Sequence, residues 1–382
     1  MQNYDVIVIG CGGVGSATLY QLAREGVRAL GIEQFGIAHE RGSSHGQTRI
    51  IRQAYFEHPD YVPLLRMAYA AWGKLEQQSG RKLFHRIGLL EVGPADGALI
   101  PGVLESARRH NLAIETFNAA EVALRFPGFR APQDAVAVFE ENAGYLLVEE
   151  AVRAQLDCAR NCGAELRTGQ TVRAWRVEGD TVCVDCEQES FSAARLIVTT
   201  GAWSASLLRP FGVNLRVVPK HLHWYANEST NYRDGSPVFF YEIPRGYFYG
   251  FPQLDERGVK IGEHSGGDEV SDPLKVARGV DPEDRRRTIE FLCDYLPQVS
   301  HRAEDHTVCF YTFSPDNHFI VDRHPEYENV AFAAGLSGHG FKFAPVLGQV
   351  LSDFALRGST DLPVAFLSLN RFPGSLPKFS NG

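Results

Sequence analysis

The chain has 382 residues, 44% of them hydrophobic and 22% charged, an ordinary globular composition with length for two or three domains of roughly 150 residues each. A formal net charge of −8 with no long basic run argues against a nucleic-acid or anionic-membrane partner. The start, MQNYDVIVIG, lacks signal-peptide features, and no apolar run approaches the roughly 18 residues of a membrane span, so a cytoplasmic protein is expected.

In chain order, YDVIVIG reads as a buried parallel strand and GVGSATLYQLAREG as a helix that faces inward through Leu19, Leu22 and Ala23 and stops at Gly26. VRALGIE is a second strand, which completes a βαβ unit. YVPLLRMAYAAWGKLEQQ is helical, with Leu64, Met67, Ala71 and Leu75 spaced for one face. HRIGLLEVG reads as a single strand, and EEAVRAQLDCARNCG as a helix that ends at Gly163. Strands with a Gly179–Asp180 turn follow, and then RLIVTTGAW, a buried strand that runs into a glycine turn. From about 214 to 265 the chain is strand-rich and aromatic without alternating helices, so a mostly antiparallel sheet is expected. DPEDRRRTIEFLCDYLP is a helix with acidic residues in its first turn. The chain closes as strand, glycine loop and helix in VAFAAGLSGHGFKFAPVLGQVLSDFAL.

Seven cysteines without framework spacing argue against a disulfide set. A zinc site from Cys158, Cys162, Cys183 and Cys186 is disfavoured, because TVCVDC alternates like a strand and sends its two cysteines to opposite faces; no metal is expected. GCGGVG places Gly10, Gly12 and Gly15 in G-x-G-x-x-G order between a strand and a helix, and Glu33 ends the second strand. Gly10 permits the tight turn, Gly12 lets backbone approach a pyrophosphate, and Gly15 lets helix and strand pack closely. The helix N-terminus offers free N–H groups to phosphate, and Glu33 would accept from ribose hydroxyls. Dinucleotide binding follows, and the glycines alone leave NAD and FAD both open.

Taken together, DVIVIGCGGVG, GSSHGQTRIIRQAY, YFYGFP, KIGEH, VCFYT, HFIVD and GLSGHGFKFAPVLG resemble the monomeric sarcosine oxidase and N-methyltryptophan oxidase family, essentially end to end. The resemblance implies a Rossmann-like, glutathione-reductase-like FAD domain interleaved with an antiparallel-sheet substrate domain. The expected bounds are 1–80, 140–212 and 315–382 for the first, and 81–139 and 213–314 for the second. It implies a monomeric FAD oxidase of secondary, N-methyl amino acids such as sarcosine that uses O2 and releases H2O2, an aldehyde and the demethylated amino acid. N-methyltryptophan or a cyclic imino acid such as pipecolate or proline is the alternative substrate, and an NAD-dependent amino acid dehydrogenase the rival activity.

The same resemblance implies roles residue by residue. Cys309 carries the flavin through a thioether; Arg52 and Lys342 hold the substrate carboxylate. Arg49 lies against the flavin and Lys260 promotes O2 reduction. Tyr249, His264 and Tyr311 surround the substrate, with Phe240 shaping the pocket. The cofactor set adds Ser43, His45, Thr48, Val172, Gly201, Gly338 and Gly340 to Gly10, Gly12, Gly15, Glu33, Cys309 and Lys342. The chain departs from the family pattern at Phe240, at SSH and at Gln47, which leaves pocket size open; a small N-methyl amino acid is the expected substrate.

Overall fold

The computed structural model describes residues 2–233 and 235–372. Its first sheet runs in the order Val172–Glu178, Thr181–Cys186, Ser190–Val198, Gln2–Ile9, Ala29–Glu33, Glu165–Thr168. Val330–Ala334 joins the far end of Ser190–Val198 in parallel, and Ile320–Arg323 pairs with it antiparallel. The Gln2–Ile9 strand alternates between two cores. Val6 and Val8 pack toward the helices, while Ile7 and Ile9 pack with Leu196, Phe211 and Phe332 on the other face. The Gly13–Arg24 helix packs between the Val148–Asn161 and Ala344–Arg357 helices, and its Leu19, Leu22 and Ala23 are buried as expected.

The second sheet holds the aromatic middle of the chain. Its order is Val299–Phe313, Arg216–Asn227, Val259–Glu263, Gly246–Phe251, Val238–Ile243, Leu89–Pro94, Ala135–Glu140, Glu115–Asn118. All neighbours are antiparallel except Val238–Ile243 with Leu89–Pro94. A small third sheet links Thr48–Ile51, Gly144–Leu147 and Phe84–Arg86. GSSHGQTRIIR, which opens like a loop, therefore ends in a strand that carries Arg49.

Two local expectations are corrected. HRIGLLEVG is two strands, Phe84–Arg86 and Leu89–Pro94, in different sheets. The break is Gly88 at φ 79°, where an added Cβ would lie 2.4 Å from the Phe139 ring. The Tyr61–Ser79 helix buries Leu64, Leu65, Ala68, Trp72 and Leu75, while Met67 is 40% exposed and Ala71 only half-buried. The heptad-like spacing selected the stripe beside the true one. Burial of the large Trp72 ring, whose Nε1 donates to the Lys342 carbonyl at 2.9 Å, sets the helix rotation. Among the described residues no helix is long and apolar enough to cross a membrane.

Candidate active site

A cavity of about 760 Å³ opens where the first strand meets its helix. Gly10, Gly12, Glu33, Ser43, Arg49, Val172, Gly201, Tyr311, Gly338 and Gly340 all line it. The glycine chemistry is visible in the packing. A Cβ on Gly15 would fall 1.8 Å from the Gly10 carbonyl oxygen, so the helix presses directly on the turn. Gly10 adopts φ 85°, with the Thr199 carbonyl 2.6 Å from where its Cβ would be. Glu33 is buried, and its oxygens accept from Cys11 N at 2.9 Å and Phe35 N at 3.0 Å. Burial raises its pKa, but these N–H groups and His39 at 3.3 Å outweigh burial and hold it below the usual carboxylate range.

Several polar atoms on this cavity have no partner in the protein: Trp203 Nε1, Thr312 Oγ1 and Gln170 Oε1. A bound polar group would satisfy them. His45 is fully buried with both ring nitrogens unpartnered. Burial and the nearby cations Arg49, Arg278 and Lys260 push its pKa down to about 3, so the ring is neutral. Arg49 donates to the Thr48 and Ser43 carbonyls, which fixes its head on the cavity wall.

Behind Tyr311 lies an aromatic layer. His264 Nδ1 stands 3.3 Å from the Tyr311 hydroxyl. Phe240 packs 5.6 Å from His264 and stacks on Tyr249 at 6.5 Å between centroids. Burial beside Lys220 pushes His264 down to about 3. Cys309 is fully buried on the long Val299–Phe313 strand, and Lys220 is its register partner. Lys260 is 1% exposed. Its ammonium donates to the Gly46 and Thr48 carbonyls and to Thr48 Oγ1, so all three of its protons are engaged. Burial, then Arg49, drive its pKa well down.

A charge cluster adjoins the layer. Arg52 and Lys342, distant along the chain, converge on Tyr55: the guanidinium lies 4.9 Å from the ring centroid and the ammonium 5.2 Å. Both are buried. Arg52 also lies over Phe56 and Phe240, and its Nε is 3.5 Å from Glu91. Glu57 accepts from Arg52 at 2.8 and 2.9 Å. Burial pushes Glu57 up, but Arg52 and His339 outweigh this and hold it at about 2. Burial pushes Glu91, which has no hydrogen-bond partner, up to about 8. Burial and then Arg52 bring Lys342 down to about 7.

Thus ten predicted residues share the cavity, while Phe240, Tyr249 and His264 form the layer that Tyr311 joins to it. Arg52 and Lys342 form the charge cluster, and Gly15, His45, Thr48, Lys260 and Cys309 lie outside the cavity lining. Sequence reasoning missed Tyr55, Glu57, Glu91 and His339. Tyr55 and Glu57 lie within five residues of Arg52, and His339 sits three before Lys342, so adjacency was the available signal. Nothing local marks Glu91.

Residues 5–354 match the FAD dependent oxidoreductase (DAO) family. The chain is 37% identical over 377 residues to a monomeric sarcosine oxidase of Arthrobacter sp. (strain TE1826), covering 97% of each. It is 36% identical over 375 residues to an N-methyl-L-tryptophan oxidase of Yersinia pestis (strain Pestoides F), covering 97% of this chain and 100% of that one. Among solved structures it resembles NikD, an unusual amino acid oxidase essential for nikkomycin biosynthesis, at a TM-score of 0.84 and 26% identity, covering 96% and 98% of the two chains. L-proline dehydrogenase of P. horikoshii shares the fold at a TM-score of 0.82 and 20% identity, covering 96% and 97%. The glycine turn, the unpartnered polar atoms of the cavity and these matches agree: the chain belongs to the DAO family of FAD-dependent oxidoreductases.

Proposed function

We propose that the protein is an FAD-dependent oxidase of small N-methyl amino acids such as sarcosine, yielding an aldehyde, the demethylated amino acid and H2O2. The carrying observation is the convergence of Arg52 and Lys342 on one buried ring. With Glu91 neutral, the pair faces Glu57 as its ionised carboxylate neighbour, and cationic character remains for a substrate carboxylate. The names of the relatives, which act on N-methylated amino acids, support the same class.

FAD, held by the cavity that Gly10, Gly12, Glu33, Ser43 and Arg49 line, would supply the hydride acceptor and the electron route to O2. The residues of the chain do the rest. Arg52 and Lys342 hold the carboxylate, which orients the N-methyl group toward Tyr311, the side chain shared by the aromatic layer and the cavity. Phe240, Tyr249 and His264 exclude water, and burial keeps the His264 ring neutral. Arg49, on the cavity wall, favours negative charge that develops there. Lys260, behind the Gly46–Thr48 turn, favours charge that develops on dioxygen. Cys309 is the residue proposed to hold the flavin covalently, and the matched sarcosine oxidases are named monomeric, which supports a monomer.

The decisive experiment is a peroxide assay on purified yellow protein across sarcosine, N-methylalanine, N-methyltryptophan, proline and pipecolate. The highest kcat/KM for sarcosine or N-methylalanine is expected. Peroxide from the cyclic or aromatic substrates alone would reject the small-substrate reading, and no peroxide with any of them would reject oxidase function.

A further inference from the structure

Lys342 is tied to the surface by a hydrogen-bond chain whose direction is fixed at its outer end. The Asn317 carbonyl, on an exposed turn at φ 62°, lies 3.0 Å from His339 Nε2. A carbonyl only accepts, so Nε2 carries the hydrogen. Burial pushes His339 down to about 4, so near neutral pH the ring has one hydrogen and Nδ1 must accept. The Tyr55 hydroxyl lies 2.6 Å from Nδ1 and donates to it. The Tyr55 oxygen then keeps only lone pairs for Lys342, 3.5 Å away, and the His339 carbonyl accepts a second ammonium proton at 2.9 Å. Both contacts accept from an ammonium, and neither donates to a neutral amine.

We infer that His339 is a positioning residue that, through Tyr55, holds Lys342 as an ammonium ready for a carboxylate. This deepens the proposed function and rests on its carboxylate site. The charged groups around the chain are Glu57, 4.0 Å from His339 Nδ1, Arg52 over the Tyr55 ring, and Glu91 and Arg49 acting on Lys342 at longer range. Tyr55 stays protonated, since burial and then Glu57 push its pKa well up. Replacing the imidazole by an apolar group removes the acceptor that fixes the Tyr55 hydroxyl, which then turns among the His339 carbonyl at 3.4 Å, Glu57 and Lys342, and donation to Lys342 favours the neutral amine. Glutamine, with one acceptor and one donor, keeps the original direction.

The test is binding of methoxyacetate, an acid without an amine, to the holoprotein, followed by perturbation of the flavin absorbance from pH 5.5 to about 9. In the parent protein, affinity falls as pH rises through the Lys342 titration. His339→Leu is expected to move that midpoint about one unit toward acid, a roughly tenfold weaker affinity on the alkaline side. His339→Gln is expected to restore it. An unmoved midpoint in His339→Leu, or equal shifts in both variants, overturns the inference while leaving the carboxylate site intact. If Lys342→Met binds the anion with the parent's affinity and pH dependence, the carboxylate site falls and the inference with it. Should His339→Leu not retain flavin, a His339→Gln midpoint displaced toward acid overturns the inference, and a parent-like one supports it.

Discussion

Glu57 sets its carboxylate against one terminal nitrogen of Arg52, at 2.8 and 2.9 Å. The fork is preorganised by this pair and by three aromatic rings around the guanidinium. Arg52→Lys keeps the charge but loses the planar fork and the stacking. One charge-assisted hydrogen bond is worth roughly 1.5–3 kcal/mol, so kcat/KM for sarcosine should fall about 10- to 100-fold, mainly through KM. Steady-state peroxide kinetics check this; an unchanged KM would remove Arg52 from substrate binding.

The same pair gives a pH signature. The Glu57 carboxyl is held at about 2 against an ordinary 4.5. A depressed carboxylate stabilises the fold above its unfolded value, and that stability is lost as pH falls toward the folded value. Glu57→Gln should therefore melt below the parent at pH 6, and the gap should close as pH drops from about 4.5 toward 2. Thermal melts at a series of pH values measure it; a gap that widens in acid would contradict the assignment.

Lys260→Met should slow flavin reoxidation by O2 by about 10²-fold or more, while reduction by substrate changes only a few-fold. Stopped-flow absorbance separates the half-reactions. Because the Lys260 ammonium also ties the Gly46 and Thr48 carbonyls, equal slowing of both would point to a purely structural role.

Cys309→Ala should convert a flavin that stays with acid-precipitated protein into one that is released to the supernatant. Yellow pellets from the parent and colourless ones from the variant are expected; a colourless parent pellet would exclude the covalent bond.

Gly15→Ala should abolish holoprotein. Its Cβ would sit 1.8 Å from the Gly10 carbonyl oxygen, backbone that has nowhere to move without opening the turn. Flavin content after purification reads this directly, and a normal flavin-to-protein ratio would show that the helix can retreat.

The cofactor half of the site was legible because its chemistry is local. Gly10, Gly12, Gly15 and Glu33 lie within one strand–turn–helix–strand unit, where spacing alone dictates which backbone groups face a ligand. The misread stripe of the Tyr61–Ser79 helix has the opposite cause. Apolar residues lie on more than one of its faces, and only the neighbours of Trp72 decide which is buried. Arg52 and Lys342 were legible only through resemblance to a family. Glu91 was invisible, since an ordinary strand glutamate becomes a neutral acid only when packed without a partner beside Arg52.

What the sequence determined by itself was the dinucleotide turn and the two kinds of sheet. What only the tertiary structure decided was which polar groups meet: Arg52 with the ionised Glu57 and the neutral Glu91, Lys342 with the Tyr55 hydroxyl and the His339 carbonyl. Backbone geometry follows from neighbours a few residues away, but the strength of a charge interaction depends on separation and burial. Both are fixed only when distant segments close around the same buried ring.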